Sequence, residues 1–323
     1  MPTSDEMPSA GAGNAALTLV TGANGFTGSA VVRSLLKRGR RVRAFIETGT
    51  TEENLQGLPV ERIYGNLLDY SSLVEALRGV EIVHHVAATF QFAADPGKDS
   101  ERYKKDCETF YGNNLTGTTK FLLASQAARV KRIVYTSTMA CIGVVPGRAL
   151  SDETMPFNIW LPVNDYMRSK GFAENIAHSF VDAGAPIVMV NPSWIVGPGE
   201  VFMTPVAQVV RDVMRQQQPA LYPAGINIVD VDDVGEGHIL AELKGKIGER
   251  YILAGENVEY KDFLDMISDV ASVPRLPDLP PSPSAFPRDF LFYDSTKARR
   301  DLGWSSRPLR ETIGRAVNYL ASR

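Results

Sequence analysis

The sequence predicts an α/β fold: a doubly wound parallel sheet covered on both faces, with a smaller C-terminal lobe. Three observations predict it. Short, almost uninterrupted apolar runs alternate with helical patterns through residues 17–192, as expected of strands buried on both faces. A glycine-rich turn, TGANGFTG at 21–28, joins the first apolar run to the first helical pattern. After about residue 195 the alternation loosens, and VPRLPDLPPSPSAFPRD (273–289) holds six prolines, too many for a regular helix or central strand.

In chain order, LTLVT (17–21) is the first strand and FTGSAVVRSLLKRG (26–39) a helix ended by Gly39. VRAFI (42–46) and VERIY (60–64) are the second and third strands. SSLVEALRG (71–79) is helical, with Ser71 or Ser72 as its cap. VEIVHHVAA (80–88) is the fourth strand, and KRIVYTST (131–138), after a long helical stretch, the fifth. PIVMVNP (186–192) follows the helix that carries DYMRSK (165–170). NIVDVDD (227–233) and RYILAG (250–255) are the strand-like stretches of the looser region.

Composition narrows the function. The chain has 323 residues, is 44% hydrophobic and carries a formal net charge of −3, so it can bury a large core and shows no electrostatic footprint for nucleic acid or an anionic membrane. Two cysteines, Cys107 and Cys141, build neither a disulfide framework nor a C-x-x-C metal pattern, and a reducing, cytoplasmic setting is expected. No apolar run reaches the length of a membrane span. Residues 1–15 are small and polar, without Lys or Arg, which fits a disordered tail rather than a secretory signal. Asp230, Asp232 and Asp233 read as strand residues and a helix cap rather than a metal site, and no metal is expected. His84 and His85 fall on opposite faces of one strand and read as core histidines. Lys297, Arg299 and Arg300 read as a solvated helix face.

TGANGFTG has the strand–turn–helix setting of a dinucleotide loop. Gly22 allows the tight turn, Gly25 lets backbone amides approach a pyrophosphate at the helix N-terminus, and Gly28 lets helix and strand pack closely. Asn24, Phe26 and Thr27 complete the loop and are placed with it at the cofactor. The fold is thus read as Rossmann-type, with a dinucleotide-binding domain at 16–195 and a mainly substrate-binding lobe at 196–323 that can return a strand or helix to the main sheet. The second strand runs out at Phe45, Ile46, Glu47. A carboxylate there accepts from ribose hydroxyls and repels a 2′-phosphate, which favours NAD over NADP; a solvated loop glutamate, with Arg41 and Arg43 nearby, is the other reading.

DYMRSK places Tyr166 and Lys170 one helical turn apart. At 100° per residue Ala173 and Ala177 continue their row, while Phe172, Ile176 and Phe180 form a separate apolar stripe for the core or a partner subunit. Alone the spacing is weak, because most such pairs only decorate a helix. The order of motifs along the chain adds to it: TGANGFTG, GNLLD (65–69), HVAA (85–88), NNLTGT (113–118), YTSTMACIG (135–143), YMRSK (166–170), NPSWIVGPG (191–199), VDVDDVGEGH (229–238) and YDSTKARRDLGW (293–304). This series resembles the extended short-chain dehydrogenase/reductase family over nearly the whole chain, and within it the dihydroflavonol-reductase-like branch and the hopanoid-associated epimerase-like proteins.

The resemblance implies roles. Tyr166 matches the catalytic tyrosine and Lys170 its partner. Thr138 matches the catalytic Ser or Thr, with Ser137 as a lesser alternative. Asn66, where relatives usually carry an aspartate, and Leu67 fall at the adenine. Ala87, Ala88 and Asn114 fall along the cofactor groove, and Pro192 and Ser193 near the nicotinamide. A homodimer through the DYMRSK helix and the helix before the fifth strand is implied as well. The cofactor is NAD, favoured by Glu47, or NADP.

The chemistry of these roles stands on general grounds. Interconverting an alcohol and a ketone couples hydride transfer to proton transfer at the oxygen. A tyrosine with an ordinary pKa near 10 is a poor base, and a neighbouring ammonium lowers that value. Lys170 is expected to supply that charge to Tyr166, and Thr138 to hold the substrate oxygen, unless its hydroxyl only caps local backbone. Sugar-nucleotide relatives place an arginine where this chain has Ile226, and an apolar side chain cannot pair with a diphosphate. The stretch 89–111, with Phe90, Phe92, Phe110 and Tyr111, falls among substrate-facing loops, as do Met139 and Trp194. Some of these aromatics can equally be core. The expected function is an NAD(P)-dependent oxidoreductase that interconverts a ketone and a secondary alcohol on an apolar or aromatic small metabolite, with Tyr166 as acid/base. The alternatives are a sugar or nucleotide-sugar epimerase/dehydratase with tightly bound NAD, and a non-catalytic dinucleotide-binding regulator.

Overall fold

The computed structural model describes residues 16–90, 99–157, 164–219, 224–277 and 290–323. The tail expected at 1–15, Phe92, and most of the proline-rich stretch lie outside the described residues.

Seven parallel strands form the main sheet: β1 (Leu17–Thr21), β2 (Arg41–Glu47), β3 (Glu61–Gly65), β4 (Ile82–His85), β5 (Arg132–Thr136), β6 (Ile187–Pro192) and β9 (Arg250–Leu253). Their order is β3-β2-β1-β4-β5-β6-β9. The chain winds outward from β1 to β3, then returns to pair β4 with the other edge of β1. The reversal opens a crevice beyond the carboxyl ends of β1 and β4, where ligands of doubly wound sheets bind.

The apolar runs are continuous because both faces are covered. Leu19, Phe45, Val83, Ile133 and Met189 pack against α2 (Tyr70–Ala76), α4 (Thr118–Ala127) and α5 (Asp165–Asp182). Val20, Ala44 and Ile46 face α1 (Phe26–Lys37) and α7 (Val231–Lys244), and Val134 and Val188 also pack on α7. α3 (Ser100–Phe110) precedes a π-helical stretch at Tyr111–Gly117 that leads into α4. Ala173 and Ala177 are fully buried under α5, with Ile176 and Phe180 half-buried beside them.

A second sheet, β10-β8-β7, comprises β7 (Trp194–Val196), β8 (Gly225–Asp230) and β10 (Glu256–Glu259); β8 pairs parallel with β7 and antiparallel with β10. It packs with α6 (Pro205–Met214), α8 (Tyr260–Ala271) and α9 (Leu309–Ala321) around a separate apolar cluster. The RYILAG stretch belongs to the main sheet, as β9 beside β6.

Several local expectations change. Asp69, not Ser71 or Ser72, caps α2, because its carboxylate accepts from the Ser71 amide at 3.0 Å. The VDVDD stretch splits: Asp230 ends β8 and caps α7, accepting from the Asp232 amide at 2.8 Å. The three aspartates are engaged by arginines. Asp230 meets Arg315 at 2.5 Å, Asp232 meets Arg33 at 3.1 Å, and Asp233 meets Arg307 at 2.7 Å. Lys297 is not simply solvated: it reaches Glu249 at 2.6 Å and lies 4.9 Å from the Tyr251 ring centre. The two histidines do face opposite sides. His84 meets Glu242 of α7 at 3.0 Å, and His85 lies between Thr21 and Thr118.

Candidate active site

β1 ends where Gly22 adopts a left-handed φ of +61°. A Cβ there would approach Ala87 Cα to 2.9 Å, and one at Gly28 would reach the Gly22 carbonyl oxygen at 2.0 Å. Only glycine lets α1 start this close to the ends of β1 and β4. Gly25, the N-cap of α1, supplies no side-chain cap, whereas Asp69, Asp99, Asn164, Thr204 and Asp230 cap α2, α3, α5, α6 and α7. The first-turn amides of α1 are therefore left to a ligand, and a pyrophosphate fits them.

This loop opens into a cleft of about 850 Å³ that continues past β4, β5 and β6 to α6. Thr21 holds one rim. Its hydroxyl oxygen accepts from the Val86 amide at 3.0 Å and the Ala87 amide at 3.1 Å, so its own proton points to His85 Nδ1, 2.8 Å away. His85 therefore carries its proton on Nε2, facing Thr118 Oγ1 at 3.1 Å, and burial pushes its pKa down to about 3. At the opposite end Glu47 is exposed, and Asn66 Nδ2 donates to it at 3.1 Å. Arg43 turns away to Glu61, 2.8 Å distant, which leaves Glu47 as the charge at the end of β2 that lines the cleft.

Thr138, Tyr166 and Lys170 meet in the middle of the cleft. Thr138 follows β5. Its hydroxyl accepts from the Ala140 amide at 3.3 Å, and the residue lines the same cleft as Tyr166. Asn164 starts α5, accepting from the Met167 amide at 2.9 Å, and this sets Tyr166 in the first turn. The Tyr166 ring lies 4.8 Å from Phe90 and 6.3 Å from Phe110, centre to centre. One turn on, Lys170 is 3% exposed and donates to the Thr136 carbonyl at 2.9 Å and Tyr135 Oη at 3.2 Å.

Lys170 is not among the groups that shift the Tyr166 phenol. Burial pushes the phenol well above its ordinary value, Cys141 adds to the rise, and the Thr138 hydrogen bond opposes it. Burial brings the Lys170 ammonium down to about 8, so the charge it offers is itself weakened, and its protons are directed to Tyr135 and Thr136. A phenol in this position can donate a proton to an oxygen placed between it and Thr138.

A model of the NAD-dependent epimerase/dehydratase family matches residues 18–254, the span that carries the glycine loop, Thr138, Tyr166 and Lys170. The chain belongs to that family. Its relatives include a putative dihydroflavonol 4-reductase of Synechocystis sp., 32% identical over 93% of both chains. Sterol demethylase protein B of Methylococcus capsulatus is 34% identical over 78% of this chain and 74% of its own. Among solved structures, gox2253 is 34% identical with a TM-score of 0.86, covering 95% of this chain and 98% of that one. The UDP-glucose 4-epimerase of Thermus thermophilus, solved with NAD, has a TM-score of 0.79 at 24% identity over 94% and 99%, a likeness of fold.

Within this family member, Gly22, Asn24, Gly25, Phe26, Thr27, Gly28, Leu67, Ala87, Ala88, Pro192 and Ser193 line the cleft as expected from the sequence, together with Met139, Phe90 and Trp194. Two expectations do not hold. Asn114 is buried outside the cleft wall. It donates to the Thr89 carbonyl at 3.1 Å and Ser169 Oγ at 3.0 Å, while its neighbour Asn113 lines the cleft. Ile226 is fully buried in the second apolar cluster and touches no cleft, because β8 turns it toward the helices of the C-terminal lobe. Of the aromatics read as either substrate-facing or core, Phe110 is core, and Tyr111 donates to Asp165 at 2.9 Å. Sequence reasoning missed Met167, Gln208 and Asp212 in the lining. The i, i+3, i+7 spacing of Pro205, Gln208 and Asp212 on an amphipathic helix was the available signal.

Proposed function

We propose that this protein reduces a ketone on an apolar or aromatic small metabolite, using NADH in preference to NADPH. The observation that supports the reading is that Thr138, Tyr166 and Lys170 line one largely apolar cleft. Lys170 is the only cation lining that cleft among the described residues. A nucleotide sugar brings a diphosphate, and one lysine already committed to Tyr135 and Thr136 is a poor partner for it. The relatives named as reductases, among them a putative dihydroflavonol 4-reductase and cinnamoyl-CoA reductase 2 of Arabidopsis thaliana, support reduction.

The dinucleotide, when bound, supplies the hydride. The chain does the rest. The glycine loop and the uncapped N-terminus of α1 hold the pyrophosphate, and Glu47 with Asn66 receives the adenosine ribose. Thr138 orients the substrate oxygen and Tyr166 donates its proton to it as negative charge develops there. Lys170 keeps Tyr135 and the end of β5 in register with α5.

The test is NADH oxidation by the purified protein across a panel of aryl and alkyl ketones. Stoichiometric oxidation is expected, and Tyr166→Phe should lower kcat by about 100- to 10,000-fold while NADH affinity is retained. Dinucleotide that co-purifies and cycles without net consumption would favour an epimerase or dehydratase. Unchanged turnover by Tyr166→Phe would sink the acid assignment.

A further inference from the structure

The wall of the cleft formed by α6 carries a charge that the reaction does not use. Pro205, Gln208 and Asp212 lie on the cleft-facing side of that helix, while Val210 and Val213 face the lobe core. Asp212 is 9% exposed. One of its carboxylate oxygens accepts from Gln208 Nε2, and Arg211 donates to Gln208 Oε1. The other oxygen takes no hydrogen bond or ion pair among the described residues. The cleft that Asp212 lines is largely apolar, with Trp194, Met203 and Val206 among its walls. That oxygen is not sealed from solvent, so a donor entering the cleft can reach it.

We propose that Asp212, seated by Gln208, is a specificity subsite. It receives a hydrogen-bond donor, a hydroxyl or an ammonium group, carried by the substrate away from its ketone on an otherwise apolar skeleton. This rests on the reductase reading for the ketone but not for the donor. The same geometry rejects substrates whose remote end is a carboxylate or phosphate, because Asp212 repels them and Lys170 sits at the reacting end.

The experiment uses the full chain loaded with NADH. Calorimetry measures the affinity of matched ligands: an aryl alkyl ketone, the same ketone with a distal hydroxyl, and the same ketone with a distal aminomethyl group. The wild type is expected to bind the hydroxyl and ammonium members at least about tenfold more tightly than the plain ketone. Asp212→Leu should erase both preferences, and Asp212→Asn should erase the ammonium preference while retaining that for the hydroxyl. Equal ratios in the wild type and Asp212→Asn for the ammonium ligand, or a wild-type preference for the plain ketone, would overturn the proposal even if Asp212→Leu failed to fold. Oxidation of NADH by the plain ketone is read separately. Its absence with the affinity ratios intact would count against the reductase reading alone.

Discussion

Asn191 donates its side-chain amide to Glu174 Oε2 at 2.8 Å. The same nitrogen donates to the Thr138 carbonyl at 3.0 Å, and Arg250 reaches the other Glu174 oxygen at 3.0 Å. Glu174 is one turn beyond Lys170 on α5, so a buried ion pair behind the cleft ties the tyrosine helix to the strand end that carries Thr138.

Removing that carboxylate leaves the Arg250 charge without its ion-pair partner in a buried site, with only backbone carbonyls to receive Arg250 and Asn191. Glu174→Ala is expected to destabilise the protein by about 3–5 kcal/mol, and Glu174→Gln, which keeps an acceptor, by less. Urea unfolding measures this. A Glu174→Ala protein as stable as the wild type would show that the pair contributes nothing.

Two glycine substitutions should act in opposite directions. At Gly28 an added methyl meets the Gly22 carbonyl at 2.0 Å, and backbone cannot yield as a flexible side chain would. Gly28→Ala should abolish dinucleotide binding, read by fluorescence titration. Gly314, inside α9, has open space where a Cβ would go, and Gly314→Ala should raise stability by about 0.5–1 kcal/mol. Retained binding by Gly28→Ala would contradict the placement of the pyrophosphate.

Cofactor choice should reside in Glu47. Its carboxylate accepts from Asn66 Nδ2 at 3.1 Å and stands where a 2′-phosphate would be repelled. Glu47→Ala is expected to shift the NADH-to-NADPH ratio of kcat/KM toward NADPH by about tenfold or more. An unaltered ratio would move the discrimination elsewhere.

Glu200 gives stability a pH dependence. Burial pushes its carboxyl up to about 7, against an ordinary 4.5, although the Thr204 amide and hydroxyl donate to it. Between those two values the folded chain holds the proton more tightly than the unfolded chain, so this group's contribution falls as pH rises through the window. Above it the cost of a buried charge is fully present. Glu200→Gln keeps an acceptor for Thr204 without the charge. It should gain about 2 kcal/mol over the wild type at about pH 8 and nothing near pH 4. Parallel stability–pH curves for the two proteins would refute this.

Much of the fold was legible because it rests on local pattern. Strands buried on both faces need continuous apolar runs, and LTLVT, VRAFI and PIVMVNP supply them as β1, β2 and β6. The crowded turn at Gly22 and Gly28 admits only residues without a Cβ, so its glycines stand out in the chain. Tyr166 and Lys170 share a helical turn, and α5 brings them to one cleft with Thr138.

What the sequence by itself determined is the doubly wound architecture, the glycine-rich loop and the Tyr166–Lys170 pair on one helical face, because periodicity and short-range spacing encode each of them. Only the tertiary structure decided which way side chains of the C-terminal lobe point. Ile226 and Asp212 are both in that lobe, yet β8 buries the first in the core and α6 turns the second to the cleft. Proximity of a lysine along the helix is a local fact, but the packing of Phe90 and Phe110 against the Tyr166 ring is not. Desolvation and long-range ion pairs such as Glu174–Arg250 depend on contacts between residues far apart in the chain, and no local pattern carries them.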